Sequence, residues 1–292
     1  MWEQFLKRVP YAGKYREMVT ERGGNVVNDH IALRTFNTHT GEQPEGIRAI
    51  KHILTCLGYK PAANYKFGKK RLTAVHFEYP EEKFPKIFVS QLEVNLLPEW
   101  AQRIINRTVK ETLYILSDNS IELLAKLRDE GELPKEAAEL LVADLAQYFR
   151  RPWKVPQKED VLKLNDVSQY AAWVLLHGNS VNHFTALINY QDVPEWPDLE
   201  TTCKALEAAG VPMKEHIEGK KGDGLRQSAT EAVKEEVEVK GEYGIEKIRW
   251  TYAYYGLAER GTIEENGEQK LFSGFLGEQV THLFDMTKTR DN

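Results

Sequence analysis

Val181-Asn182-His183-Phe184-Thr185-Ala186-Leu187-Ile188 places one histidine at the head of an apolar, β-branched run. Far upstream, Asn28-Asp29-His30-Ile31-Ala32-Leu33-Arg34-Thr35-Phe36 has the same design. In each, a polar Asn or Asp leads into a histidine, and strand-forming residues follow. Side chains along a strand alternate between its two faces. His30, Ala32 and Arg34 are therefore expected on one face, and His183 and Thr185 share a face in the same way. Two such strands imply a duplicated unit that brings both histidines to one site.

Upstream of the first strand, residues 1–23 read as one amphipathic helix or two short ones, ending near Gly23-Gly24. Downstream of it, Ile47, Ile50, Ile53, Leu54 and Leu57 have helical spacing over 44–57, and Gly58 suits the position after a helix end. Strands are expected at 72–79 and 86–94, with a small extra strand near 60–67. The first unit thus reads β-α-β-β.

From 98 to about 164 the pattern turns helical, with Leu and Ala at helical spacing through 121–127 and 137–149. Arg150-Arg151-Pro152-Trp153 stops that run, because proline cannot continue a helix. Residues 168–176 form a buried helix on this reading. His177-Gly178-Asn179 ends it and turns the chain into the second histidine strand. The first pattern then recurs: a helix over 199–209 closed by Gly210, strands at 233–240 and 245–258, and one more at 270–276. Residues 218–225, rich in Gly and Lys, read as a mobile loop. The expected fold class is α+β. It has one module over 1–97, a helical insertion over 98–176 and a second module over 177–292.

The bulk numbers narrow the function. A chain of 292 residues with 41% hydrophobic and 28% charged residues is that of a globular protein with a sizeable core. A formal charge of −5 argues against a general nucleic-acid binder. No apolar run approaches membrane-spanning length, and the start has no secretory pattern. Cys56 and Cys203 are too few and too far apart for a disulfide framework or a zinc knuckle. They read as buried free thiols on helices, which fits a reducing cytoplasm.

Two histidines on separate strands, joined by a carboxylate on a third, make the ligand set that suits non-haem Fe(II). His30 and His183 are the candidate imidazoles. A strand histidine taken alone is more often a core or surface residue; the matched setting of the pair carries the metal reading. Arg34, on the His30 face, is placed to hold a substrate carboxylate through two charge-assisted hydrogen bonds, or to pair with a protein carboxylate. His177 reads as a helix cap. His52, His76, His216 and His282 read as structural or solvated. Leu225-Arg226-Gln227-Ser228-Ala229-Thr230 either lines a pocket through Gln227, Ser228 and Thr230 or makes an ordinary turn. The chain carries no Gly-rich phosphate loop, Ser/His/Asp signature or zinc spacing.

Several of these stretches together resemble the 2-oxoadipate dioxygenase/decarboxylase family of the vicinal-oxygen-chelate superfamily. They are Asp29 to Phe36, Ser168-Gln169-Tyr170-Ala171-Ala172-Trp173-Val174-Leu175, His177-Gly178, Asn182-His183-Phe184-Thr185 and Leu225 to Thr230. The resemblance implies two β-α-β-β-β modules packed around a metal. It also implies a reaction in which Fe(II), held by two histidines and a glutamate, uses O₂ to convert 2-oxoadipate to 2-hydroxyglutarate and CO₂. The family histidines fall on His30 and His183, and the substrate-carboxylate arginine falls on Arg34.

The family glutamate falls in Tyr255-Gly256-Leu257-Ala258-Glu259-Arg260, where Gly256 takes its place. Glu259 is the nearest carboxylate and is expected as the third ligand, re-aimed by a bulge at Gly256. By module symmetry, Gln91 or Glu93 is the alternative. The expected function is an Fe(II)-dependent dioxygenase acting on a 2-oxo dicarboxylic acid. The competing readings are a lyase or isomerase that uses the metal as a Lewis acid, and a non-catalytic binding protein.

Overall fold

The computed structural model describes residues 1–292 except 39–45, 82–83, 111, 113–115, 266, 277–283 and 288–292. Two short helices open the chain, α1 (Trp2–Arg8) and α2 (Pro10–Glu21). The first unit follows: β1 (Asn28–Phe36), α3 (Gly46–Cys56), β2 (Lys60–Phe67), β3 (Leu72–Glu78) and β4 (Lys86–Leu92). Five helices come next: α4 (Glu99–Lys110), α5 (Asp118–Glu130), α6 (Lys135–Tyr148), α7 (Lys158–Val167) and α8 (Gln169–His177). The second unit holds β5 (Val181–Leu187), α9 (Leu199–Ala208), β6 (Leu225–Ala229), β7 (Lys234–Gly241), β8 (Gly244–Thr251) and β9 (Tyr254–Arg260). A small ribbon ends it, β10 (Thr262–Glu265) with β11 (Glu268–Leu271).

β1 and β5 lie side by side at the centre of a seven-stranded sheet, in the order β2-β3-β4-β1-β5-β9-β6. Almost every residue of the two strands is buried, so both faces are covered. That is why each reads as a nearly continuous apolar run instead of a clean alternation. β1 pairs antiparallel with β5, and each has a parallel partner on its outer side, β4 for β1 and β9 for β5. The α+β architecture of two modules sharing one sheet is therefore present. α1 and α2 pack Trp2, Phe5 and Tyr15 against Phe184 and Tyr255, on the face away from the histidines. α3 lies against β1 to β4.

The second unit departs from the expected strand assignment. Residues 225–229 are a strand, β6, paired along its length with β9, and not a turn. The strands expected at 233–240 and 245–258 are not two sheet strands. The first is β7, which pairs along its length with β8 as a hairpin separate from the main sheet. The second breaks at Tyr252-Ala253 into β8 and β9. The hairpin alternates like a sheet strand because Val237 and Val239 are buried while Glu236 and Glu238 are exposed, and β7 lies against α7 and α8. The strand expected at 270–276 is β11, which pairs with β10 outside the main sheet. The edge beyond β6 is taken by isolated bridges, Met213 to Thr230 and Glu218 to Gln227, where the first unit has the full strand β2.

α8 is buried from Tyr170 to His177. Each large apolar side chain fully buried there contributes about 1.5–3 kcal/mol. Gly178 follows it with φ of +67°, and a Cβ there would lie 2.4 Å from the Arg150 carbonyl oxygen, so only glycine fits this turn into β5. Cys56 and Cys203 are free and buried, on α3 and α9. Among the described residues, no helix is long and apolar enough to cross a membrane.

Candidate active site

The site is built where β1 and β5 meet, and the same backbone device prepares both histidines. The β1–β5 register slips once at Asp29 and once at Asn182, leaving each as an extra residue just before a histidine. A bulge re-aims the side chains beside it. Asp29 thus hydrogen-bonds the ring of its own neighbour, with His30 Nδ1 2.7 Å from Asp29 Oδ2. Asn182 does the same, with His183 Nδ1 3.1 Å from Asn182 Oδ1. A carboxylate or amide oxygen only accepts, so each Nδ1 carries the proton and each Nε2 keeps its lone pair.

The two Nε2 atoms converge to 3.3 Å. Neither ring is exposed beyond 8%. Burial lowers the pKa of both rings. For His30 the Asp29 carboxylate opposes that effect, and for His183 the neighbouring His30 and Arg34 add to it. Two neutral imidazoles with facing lone pairs are a ready donor set for a divalent metal. Their separation suits adjacent ligands on one ion, whose metal–nitrogen bonds are about 2.0–2.1 Å for zinc. His30 and His183 thus fit the metal that the sequence predicts.

Asp29 is itself anchored. Arg260, across the sheet, grips its carboxylate through Nε and, at 2.8 Å, Nη2, and spends Nη1 on the carbonyls of Phe272 and Gly274. Burial alone would raise the Asp29 carboxyl, but the Arg260 guanidinium and the His30 ring hold it well below the usual carboxylate range. Outer contacts of this kind orient metal ligands. The Asp/Asn-His dipeptides stand out in the sequence, but nothing there assigns a role to Asp29 or Arg260. The repeated polar residue before each histidine was the available signal.

The third ligand is where the expectation fails. β9 passes through Gly256 with no register shift against β5 or β6, so no bulge turns Glu259 inward. Glu259 lies on the opposite face, where Oε1 accepts from Arg226 at 3.0 Å and Oε2 accepts from the Leu199 amide at 2.7 Å. Its negative charge suits that helix N-terminus. Gln91 and Glu93 are also occupied. Gln91 Oε1 accepts from the Ile47 amide at 3.0 Å, and Glu93 accepts from Thr73, Gln91 and Asn37.

The true symmetry mate of Gly256 is Phe88. Gly256 pairs with Thr185 and Phe88 pairs with Ala32, each two residues beyond a histidine. No third His, Cys, Asp or Glu joins the two imidazoles among the described residues. His282 lies outside them.

Arg34 is 1% exposed and has no carboxylate partner among the described residues. It donates to Thr287 Oγ1 at 2.8 Å and to the Phe284 carbonyl at 3.3 Å. Its guanidinium lies 4.9 and 5.1 Å from the ring centres of Tyr170 and Trp173 on α8. Asp285 is close enough to be felt electrostatically but pairs with Lys70.

Of the three polar residues expected to line a pocket, only Gln227 does so. Ser228 and Thr230 do not. Ser228 pairs in register with Leu257, on the other face from Gln227. Thr230 donates to the Glu231 carbonyl and accepts from the Tyr255 amide. The cavity, about 20 Å³, is lined by His30, Arg34, His183, Gln227, Tyr254 and Phe275, among others. That is room for about one water-sized group. Tyr254 stacks on His183 and Phe275 meets His30 edge-on. Neither was singled out from the sequence.

Other proteins carry this scaffold. The sequence model of the 2-oxoadipate dioxygenase/decarboxylase family matches residues 3–291. The chain belongs to this family. The 2-oxoadipate dioxygenase/decarboxylase of Oryza sativa subsp. japonica, a chloroplastic/amyloplastic protein, is 28% identical over 196 residues, which are 63% of this chain and 46% of that one. The Pseudomonas putida protein of the same name is 22% identical over 293 residues, 90% of this chain and 60% of that one. This chain thus spans about half the length of the curated relatives it matches.

Among solved structures, a glyoxalase superfamily protein from Ralstonia eutropha JMP134 superposes with a TM-score of 0.82 at 26% identity, covering 92% of this chain and 82% of that one. The hydroxyglutarate synthase of Oryza sativa, in complex with 2-oxoadipate, shares the fold with a TM-score of 0.77 at 22% identity, covering 99% of this chain and 89% of that one.

Proposed function

We propose that this protein is a decarboxylating dioxygenase of 2-oxo dicarboxylic acids of the 2-oxoadipate type, with Fe(II) held by His30 and His183. One observation carries the reading. Two imidazole lone pairs converge to 3.3 Å in a small cavity that also holds a buried guanidinium without a carboxylate partner among the described residues. The imidazoles call for a cation, and the guanidinium calls for an anionic group of the substrate.

When bound, Fe(II) would supply the chemistry with O₂ that no side chain offers. The protein's own part is orientation, charge and dryness. Asp29 and Asn182 fix the imidazole tautomers. Arg34 offers donors to a substrate carboxylate in place of Thr287 and the Phe284 carbonyl. Gln227 Nε2 is buried without a hydrogen-bond partner and offers a further donor. Phe275, Phe284 and Tyr254 exclude water. A six-carbon diacid does not fit the cavity as it stands, so its binding requires Phe275 and Phe284 to give way.

The proposed reaction balances without an external reductant. The bond between the carboxylate and keto carbons breaks and CO₂ leaves. One oxygen atom of O₂ completes a carboxylate at the former keto carbon, and the other becomes the hydroxyl on the next carbon.

Oxygen uptake and CO₂ release by Fe(II)-loaded protein given 2-oxoadipate test the reading. His30→Ala and His183→Ala are each expected to abolish turnover, by more than the about 10–100-fold that losing an outer partner costs. Product formed without O₂ would replace it with a lyase or isomerase. That no carboxylate joins the two imidazoles among the described residues favours a second reading, a binding protein for the same diacids. Tight 2-oxoadipate binding with no O₂ uptake by loaded protein would establish that one.

A further inference from the structure

We infer that Thr185 and Gly256 together close the third protein position of the site, so that a divalent metal on His30 and His183 binds jointly with a carboxylate or halide that the described residues do not supply. The inference rests on the metal reading above and concerns what completes the site.

Four observations support it. First, the β5–β9 register sets Gly256 opposite Thr185 on the histidine face. A Cβ at 256 would lie 2.3 Å from Thr185 Oγ1, closer than real contacts allow. That hydroxyl is 3.2 Å from His30 Nε2, so it fills the space a side chain from 256 would cross. Second, the mirror position in the first half holds Phe88, which has no donor atom. Third, the neighbouring carboxylates among the described residues are committed elsewhere, Asp29 to Arg260 and His30 Nδ1, and Glu259 to Arg226 and the Leu199 amide. Fourth, the polar groups left over in the cavity lining are cations or donors. They are the Arg34 guanidinium, Gln227 Nε2 and Asn182 Nδ2, the two amide nitrogens lacking hydrogen-bond partners among the described residues.

Charge then decides the matter. A divalent ion on two neutral imidazoles keeps its full charge, whereas a glutamate ligand would cancel one unit. Arg34 adds a further positive charge in the same buried space. Uncompensated charge is costly where water is excluded, so an anion must accompany the metal. The Thr185 hydroxyl is the protein group placed beside it. A carboxylate could come from the substrate itself or from a free small anion, and a halide would answer the same need.

Co(II) serves as the probe, read by equilibrium dialysis and by its visible spectrum. Titrations of the full chain run in a buffer of bulky, non-coordinating anions, then with added acetate, chloride or 2-oxoadipate. Co(II) affinity is expected to rise on adding anion by a factor in the about 5–150-fold range usual for coupled sites. By linkage, Co(II) should tighten the binding of that anion equally. Tightening by acetate or chloride identifies a free anion as sufficient. Tightening by 2-oxoadipate alone identifies the substrate's own carboxylate.

Gly256→Glu combined with Thr185→Ala, which makes the room, is expected to bind Co(II) tightly with no anion dependence. Thr185→Ala alone, which crowds nothing, should keep Co(II) binding and weaken the anion linkage; it serves if the double variant does not fold. Co(II) affinity unmoved by every anion would overturn the inference, as would Co(II) binding untouched by His30→Ala and His183→Ala. Linkage without turnover sinks only the proposed activity. Turnover without linkage sinks only this inference.

Discussion

In the first half of the sheet, β1 presents His30, Ala32 and Arg34, with Lys86, Phe88 and Ser90 of β4 as their parallel partners. In the second half, β5 presents His183, Thr185 and Leu187, paired with Tyr254, Gly256 and Ala258 of β9. The imidazoles are equivalent, each set by a bulged polar residue, and nothing else on that face is. The first half contributes the guanidinium. The second contributes the hydroxyl, the stacking tyrosine and, from β6, the Gln227 Nε2 that has no hydrogen-bond partner among the described residues. A repeated backbone thus explains a pair of converging imidazoles, while the guanidinium, the hydroxyl and the amide stand at positions where the repeats have diverged. The support behind each imidazole also differs, an ionised and clamped Asp29 against a neutral Asn182.

Removing those supports tests the asymmetry most strongly. Asp29→Ala leaves Arg260 buried without its carboxylate and is expected to cost about 3–5 kcal/mol of stability. Asn182→Ala removes one neutral hydrogen bond and should cost about 1 kcal/mol. Urea denaturation of both variants measures the difference. Equal costs would mean that the two halves hold their histidines alike.

A smaller effect is expected at the guanidinium that only the first half carries. Arg34→Lys keeps the charge but loses the planar fork, so 2-oxoadipate binding should weaken by about 1.5–3 kcal/mol, roughly 10–150-fold, with metal affinity unchanged. Calorimetric titration of ligand and metal separates the two. A collapse of metal affinity with unchanged diacid binding would show that Arg34 supports the metal instead.

The helix that joins the halves gives the mildest test. His177, at the end of α8, has its pKa pushed down to about 3, by burial first and by Arg8 and Arg151 after it, against the Thr251 carbonyl. Unfolded, it titrates near 6.5. Below that pH the unfolded chain takes up a proton that the folded chain refuses. The stability tied to neutral His177 is therefore complete above pH 6.5 and is lost as pH falls toward 3. From pH 6.5 to 5 the loss should reach about 1.6 kcal/mol, the slope approaching about 1.36 kcal/mol per unit once the unfolded ring is protonated. Denaturation midpoints of wild type and His177→Gln at the two pH values check this, and the variant should show the smaller fall. An equal fall would place the acid sensitivity elsewhere.

Much of the first half was legible because its patterns are local. The strands expected at 72–79 and 86–94 match β3 and β4 to within two residues at each end, and the helix at 44–57 contains α3. The shared face of His30, Ala32 and Arg34 followed from period two alone. The second half was harder. β7 alternates as a sheet strand does but packs on helices, and alternation does not name a strand's partner. The sequence leaves β6 open between a pocket lining and a turn because Arg226, Gln227, Ser228 and Ala229 are polar or small, and their burial comes from tertiary neighbours such as β9.

The sequence by itself determined that two histidines, each behind a polar residue, head two buried strands with Arg34 on the first. Those features depend on the order and alternation of neighbouring residues. Only the tertiary structure decided that Asp29 is clamped by Arg260, that Glu259 serves a helix end on the opposite face, and that Thr185 fills the space above Gly256. Each of these depends on which strands adjoin and in what register. That choice is made by burial across the whole sheet, so no local pattern encodes it.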